Sequence, residues 1–246
     1  MTELSAFPIT RKWPAKHPER LQLYSLPTPN GVKVSIMLEE IGLAYEAHKV
    51  SFDNDDQLSP EFISLSANNK IPAILDPNGP GGQPLPLFES GAILLYLADK
   101  LQRFIPADLR GRNVALQWLF WQMGGLGPMA GQNHHFVQYA PEPLPYAIER
   151  YVKETSRLYG VLNKHLGLQA ARARRGLVAV GDRLVAQRVA VLGLGVGLVN
   201  GDLLLLQQRQ PAFGQQLIEI ALRGQQHPVL LRGLPFEIGG VGRQRQ

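Results

Sequence analysis

Two closely spaced prolines decide how this chain starts to fold. Leu21 to Leu26 reads as a short strand, and Pro27 and Pro29 then forbid regular structure and force a turn. Val34, Met37, Leu38 and Ile41 follow at i, i+3, i+4 and i+7, the period of a core-facing helix, and Gly42 ends it. Thr28 and Asn30 therefore stand at the mouth of a helix N-terminus. Free backbone N–H groups and the positive end of the helix dipole meet there, and the place suits an anion. A thiolate is one such anion, and a helix N-terminus lowers a thiol pKa from about 8.5 to roughly 3.5–7.5. The chain has no cysteine. A sulfur activated at this turn has to arrive on a ligand. The plainer reading is that Thr28 or Asn30 only caps the helix.

The absence of cysteine also removes any disulfide framework and any thiolate metal site. A reducing, cytoplasmic setting is expected. Residues 1–19 read as an extended arm kept irregular by Pro8, Pro14 and Pro18; it is basic but has no apolar stretch of the kind a secretory signal needs. With 246 residues there is room for one large domain or two small ones.

The net charge of +5 would suggest nucleic acid if it were spread along the chain. It is not spread. Residues 1–167 carry 15 Lys+Arg against 16 Asp+Glu, and residues 168–246 carry 10 Arg against 4 Asp+Glu. The organised part is neutral, which sets a nucleic-acid partner aside.

Beyond the first helix, Tyr45 to Phe52 reads as a second strand, and strand–helix–strand is normally a parallel crossover. Ser59-Pro60-Glu61 starts a short helix with proline in its first turn. Ala73 to Leu75 and Leu85 to Phe88 make a hairpin across a turn rich in Pro and Gly, and Glu89-Ser90-Gly91 opens a strongly apolar helix reaching Leu101. The order βαβ, short helix, ββα is that of a thioredoxin-like α/β domain, here residues 20–103. From 107 to 167 the pattern is all helical. Asn113 to Met123 is apolar nearly all round and should be deeply buried. Gly124 to Pro128 interrupts or bends it, and Tyr146 to Leu166 is another long helix.

A thioredoxin-like half with Ile71-Pro72 before a hairpin and Glu89-Ser90 at its last helix, followed by an all-helical half, resembles the cytosolic glutathione transferases. Thr28-Pro29-Asn30-Gly31, Asn68-Asn69-Lys70-Ile71-Pro72-Ala73, Leu87-Phe88-Glu89-Ser90-Gly91, Gln117 to Gln122, and Gly127-Pro128-Met129 with Gln132 to Phe136 resemble the bacterial nu class. They are also similar to the globular domain of the yeast nitrogen-catabolite regulator. The resemblance runs from about Pro8 to about Gly167.

What the resemblance implies is glutathione as co-substrate, disulfide reduction as the reaction, and a homodimer. The Ile71–Pro72 bond would be cis, exposing the Ile71 backbone to the cysteinyl unit of glutathione. Glu89 and Ser90 would hold the γ-glutamyl group, and Lys70 and Gln57 the glycyl carboxylate. Arg150 would reach a glutathione across the dimer interface, a carboxylate suiting a guanidinium fork. Thr28 and Asn30 would occupy the place where other classes carry a catalytic Tyr, Ser or Cys. Tyr24 lies within the strand and is not assigned to catalysis. Conjugation of electrophiles or reduction of hydroperoxides is the alternative chemistry, and non-catalytic binding or regulation the alternative class.

Each residue has a plainer reading too. Glu89-Ser90 can be a helix start, Lys70 a surface lysine and Arg150 a solvated one. His134 and His135 are adjacent, so on a helix they do not face one site, and no metal is expected.

The resemblance stops after Gly167. Residues 168–246 contain no Ser, Thr, Lys, Tyr, Trp or Met, so the family's Ser/Thr-x-x-Asp box cannot occur there. Of 19 aromatic residues only Phe213 and Phe236 fall in this stretch. Its Leu, Gly, Val, Ala, Arg and Gln read as a GC-rich gene translated out of frame; the rival is a genuine replacement segment. The Gly193-Leu194-Gly195-Val196-Gly197 run lacks the third glycine of a dinucleotide fingerprint, and Val189 to Val199 is too short to span a bilayer. Loss of the helices that should cover the helical half predicts exposed apolar surface and poor solubility.

Overall fold

The computed structural model describes residues 4–174. The anomalous stretch lies outside the described residues from 175 onward. Strand β1 (Leu21–Ser25) leads into the two-proline turn, helix α2 (Pro29–Ile41) and strand β2 (Tyr45–Lys49). Gly42 closes α2 at φ 70, a left-handed C-cap that glycine adopts without steric cost. After the short helix α3 (Pro60–Leu65) come strands β3 (Ala73–Asp76) and β4 (Leu85–Phe88), then helix α4 (Ser90–Leu101).

The sheet has the order β2-β1-β3-β4. β1 and β2 are parallel, with Leu21 beside Tyr45. β3 runs antiparallel to both β1 and β4. This is the mixed thioredoxin-like sheet that the order of elements implied. One core, with Leu23, Val34, Met37, Leu38, Ile74, Ile93 and Leu97, forms where α2 and α4 cover the sheet. A second gathers Tyr24, Val50, Phe62, Leu65 and Leu75.

That second core corrects the reading of the N-terminal arm. The arm is not extended. Leu4–Ala6 forms a helical turn and Ile9–Lys12 a short helix, α1. Ile9 is 1% exposed and packs in the second core, while Trp13 Nε1 donates to the Lys49 carbonyl at 3.1 Å. Two apolar anchors and one indole N–H outweigh the prolines, which interrupt the arm without holding it off the sheet.

The remaining described residues are helical. α5 (Leu109–Trp121) starts earlier than the apolar pattern suggested, because Asp108 caps it: its carboxylate accepts from the Gly111 N–H at 2.8 Å. The Gly124–Pro128 stretch widens the helix without ending it. A π turn over Gln122–Leu126 passes directly into α6 (Gly127–His134), and a second π turn over His135–Tyr139 follows. Helix α7 (Pro145–Arg174) buries Thr155, Leu158, Tyr159 and Leu162.

The expected deep burial of α5 is not found. None of its residues is buried, and Phe120 is 67% exposed. On one side Trp118 packs on His165 at 4.1 Å between centroids, and Leu119 reaches the first core. The same side borders an apolar cleft lined by Met37, Leu94, Ala98, Leu116 and Leu119. Apolarity all round a helix records a need for cover; the elements packed on α5 among the described residues meet it on one side only.

Candidate functional site

The turn after β1 is built tightly. A Cβ on Gly31 would lie 2.0 Å from the Leu26 carbonyl oxygen, so only glycine lets the first turn of α2 pack against the end of the strand. Thr28 is the N-cap, its Oγ1 accepting from the Gly31 N–H at 3.2 Å. That bond uses a hydroxyl lone pair and leaves the hydroxyl proton free to donate outward. Asn30, in the first turn, is exposed and directs its Oδ1 back to Lys33 Nζ at 2.8 Å. A lysine ammonium only donates, so the amide oxygen is the atom that faces it and the Asn30 NH2 group is left free.

The start of α4 lies nearby. Glu89 has φ 72, a left-handed conformation unusual for a side chain of its size, and stands exposed ahead of buried Ser90. Asn68 Nδ2 donates to Glu89 Oε1 at 3.4 Å, tying the turn before β3 to the start of α4. That turn is set by the Ser66 hydroxyl donating to the Lys70 carbonyl at 2.9 Å and by Asn69 at φ 45. The Ile71–Pro72 peptide is cis. Pairing of Ala73 with Phe88 places Pro72 and Glu89 at the same end of the β3–β4 hairpin.

The two helix starts converge on Met123. Its sulfur lies 3.9 Å from Lys33 Nζ and accepts from the Ser90 hydroxyl at 3.7 Å. A Cβ on Gly91 would come within 3.0 Å of the Met123 side chain, so the glycine allows this approach. Thr28, Asn30, Glu89 and Ser90 are thus brought to one corner, with Lys70, Ile71 and Pro72 on the adjoining turn. Gln57 lies elsewhere along the chain, half-buried in the turn before α3, its Nε2 at 3.5 Å from Asp55. Arg150 stands exposed on α7, where its charge helps hold the Glu154 carboxyl below the usual range after the Arg157 ion pair has done most of that. Among the described residues no hydrogen bond or ion pair joins Gln57 or Arg150 to the corner. His134 packs edge-on against Tyr139 and His135 against Phe136. Among the described residues no group of three metal-ligating side chains gathers, and no helix is long and apolar enough to cross a membrane.

Comparison with known proteins decides the family. The model of the glutathione S-transferase N-terminal domain matches residues 19–99. The disulfide-bond oxidoreductase YfcG of Escherichia coli is 58% identical over 147 residues, which are 59% of this chain and 68% of that protein. The chain belongs to the glutathione transferase family. A crystal structure of a Pseudomonas putida glutathione transferase, with one glutathione disulfide bound per subunit, superposes with a TM-score of 0.78 at 56% identity. It covers 94% of this chain and 100% of its own. A Burkholderia graminis glutathione transferase with two glutathione molecules bound per subunit gives 0.77 at 51% identity, covering 93% and 96%.

Within this transferase fold the sequence reading missed Lys33, Gln122 and Met123. Lys33 is 1% exposed, and burial pushes its ammonium down to about 8 although Glu89 pulls it back up. Besides Asn30 it donates to Gln122 Oε1 at 3.2 Å. A signal existed: Lys33 falls on the i, i+4, i+8 row with Met37 and Ile41, so the helix carries a cation in a core row.

Tyr24 lies in the second core. It is 0% exposed, stacks on His48 at 4.7 Å, and its hydroxyl has no hydrogen-bond partner among the described residues. Burial first, then the Glu46 charge, pushes that hydroxyl above its ordinary range. Removing a buried, unsatisfied hydroxyl costs nothing. Tyr24→Phe is therefore expected to melt at or above the parent temperature by circular dichroism; a fall of several degrees would mean that the hydroxyl is bonded.

Proposed function

We propose that this transferase-family chain is a glutathione-dependent disulfide oxidoreductase whose reacting sulfurs all come from its ligands. The observation that carries the reading is a helix N-terminus presenting Thr28 and Asn30 as donors, beside the start of α4, in a chain without cysteine. Neither side chain is a base, so the pair stabilises a glutathione thiolate or positions a bound disulfide, and the thiol proton leaves to solvent. The relative named as a disulfide-bond oxidoreductase, and the neighbours holding glutathione or its disulfide, support the same chemistry.

The thiolate of one glutathione attacks a sulfur of the external disulfide, forming a mixed disulfide and releasing one thiolate. A second glutathione thiolate attacks the glutathione sulfur of that mixed disulfide. Glutathione disulfide forms, and the other thiolate leaves. The two protons lost by glutathione end on the two product thiols.

In this reading Ile71 offers its backbone to the cysteinyl unit. Glu89 accepts from the γ-glutamyl ammonium, and Ser90 with the free N–H groups of α4 holds its carboxylate. Lys70 and Gln57 take the glycyl carboxylate. The apolar side of α5 left open at Val114 and Phe120 supports pairing with a second copy, whose glutathione Arg150 would reach.

The test is turnover of bis(hydroxyethyl) disulfide with glutathione, before and after treatment of the protein with iodoacetamide. The expected rate stands above the uncatalysed one and survives alkylation. Glutathione binding without turnover would favour a binding or regulatory role, and activity confined to electrophiles or hydroperoxides would favour the transfer reaction.

A further inference from the structure

Lys33 is the only Lys or Arg among the described residues whose side chain is buried. A buried ammonium normally has a carboxylate beside it, because leaving water is costly for an unpaired charge. Lys33 has none within ion-pair distance among the described residues. Its partners are the two neutral amide oxygens of Asn30 and Gln122 and the sulfur of Met123. Glu89, at the start of α4, is the charged group that acts on it, and it acts through space without an ion pair. These neutral acceptors satisfy the three N–H groups but leave the charge uncompensated.

The same two bonds orient the amides. Asn30 turns its oxygen inward and its NH2 group outward at the mouth of α2. Gln122 turns its oxygen to Lys33, and its Nε2, buried and without a hydrogen-bond partner, abuts Gly127, where a Cβ would lie 3.0 Å away. Gln122 is the first residue of the π turn over Gln122–Leu126, and its side chain meets Lys33 of α2 there. The cost of the arrangement is a buried cation, bonded to Asn30 at the corner, and an orphaned amide N–H on Gln122.

We propose that Lys33 is a positioning residue that fixes the Asn30 amide and supplies, from inside the fold, the counter-charge for the glutathione sulfur at the start of α2. This rests on the functional reading above. An anion at that mouth completes the missing ion pair. Burial has brought the ammonium down to about 8, so in the free protein its charge is lost as pH rises through that value. A thiolate beside it reverses the shift and keeps it protonated.

The readout is the pKa of bound glutathione in the full chain, followed by ultraviolet thiolate absorbance across pH, with Lys33→Met, Lys33→Gln and Lys33→Arg beside the parent. An opposite charge at close range lowers an acid pKa by about 1–3 units. Lys33→Met and Lys33→Gln are expected to raise the bound thiol pKa by about one unit or more, and Lys33→Arg to restore most of the depression. Thermal midpoints are expected to change little in Lys33→Met, because removal of an uncompensated buried charge offsets the loss of the donor to Gln122 Oε1. If Lys33→Met fails to fold, Lys33→Gln gives the same comparison. An unchanged thiol pKa in a variant that binds glutathione would overturn the assignment of Lys33 alone. Absence of glutathione binding by the parent would overturn the functional reading itself.

Discussion

Asn30→Ala is expected to lower kcat for glutathione-dependent disulfide exchange by about 100-fold, with the dissociation constant of glutathione changed by less than about three-fold. The asymmetry follows from where the side chain sits. Asn30 is exposed at the first turn of α2, and its outward NH2 group is held by the bond of its Oδ1 to Lys33. A donor of this kind meets sulfur only as negative charge gathers there, so its removal costs more in the transition state than in the ground state. The helix itself is little affected, since Thr28 remains as N-cap through its bond to Gly31. Stopped-flow turnover and calorimetric binding separate the two quantities. A loss confined to binding would place Asn30 among the residues that hold the peptide part of glutathione and remove it from the sulfur.

Glu89→Gln has the opposite profile. Glutathione affinity is expected to weaken by about 30-fold, as loss of a hydrogen bond to a charged group costs about 1.5–3 kcal/mol. The substitution keeps the shape, and a glutamine oxygen can still accept from Asn68 at the position Glu89 Oε1 holds. Both side chains meet the same strain at φ 72. What is lost is the negative charge that the ligand ammonium requires. Stability should stay within about 1 kcal/mol of the parent by denaturant unfolding, the usual range for exposed positions. Calorimetry with glutathione and with a derivative acylated at its amino group provides the check: the derivative should bind parent and variant alike. Equal affinity of parent and variant for glutathione itself would detach Glu89 from the ligand.

The parts of the fold that could be read in advance were those written locally. Pro27, Pro29 and Gly42 bound α2 by backbone sterics alone, and Ser59-Pro60 sets the start of α3 in the same way. The hairpin of β3 and β4 follows from two short apolar runs around a glycine-rich turn. Burial that depends on distant partners was not legible. Ile9 is held by Tyr24, Val50 and Phe62, far along the chain, and nothing in Phe7-Pro8-Ile9-Thr10 announces it. The exposure of α5 is of the same kind, since its pattern states apolarity but names no partner. Of the candidate site, the turn residues and helix starts could be named from short motifs. Lys33 was legible only as a cation in a core row of α2; what it does depends on Gln122, almost ninety residues later.

The central claim is that ligand sulfurs alone carry the reaction at the start of α2. The most direct test is a steady-state assay of bis(hydroxyethyl) disulfide reduction by glutathione, comparing the iodoacetamide-treated full chain with its Asn30→Ala variant. The account predicts that the treated parent turns over above the uncatalysed rate and that the variant falls about 100-fold. Equal rates for the two proteins, or no rate above background for a parent that binds glutathione, would contradict it.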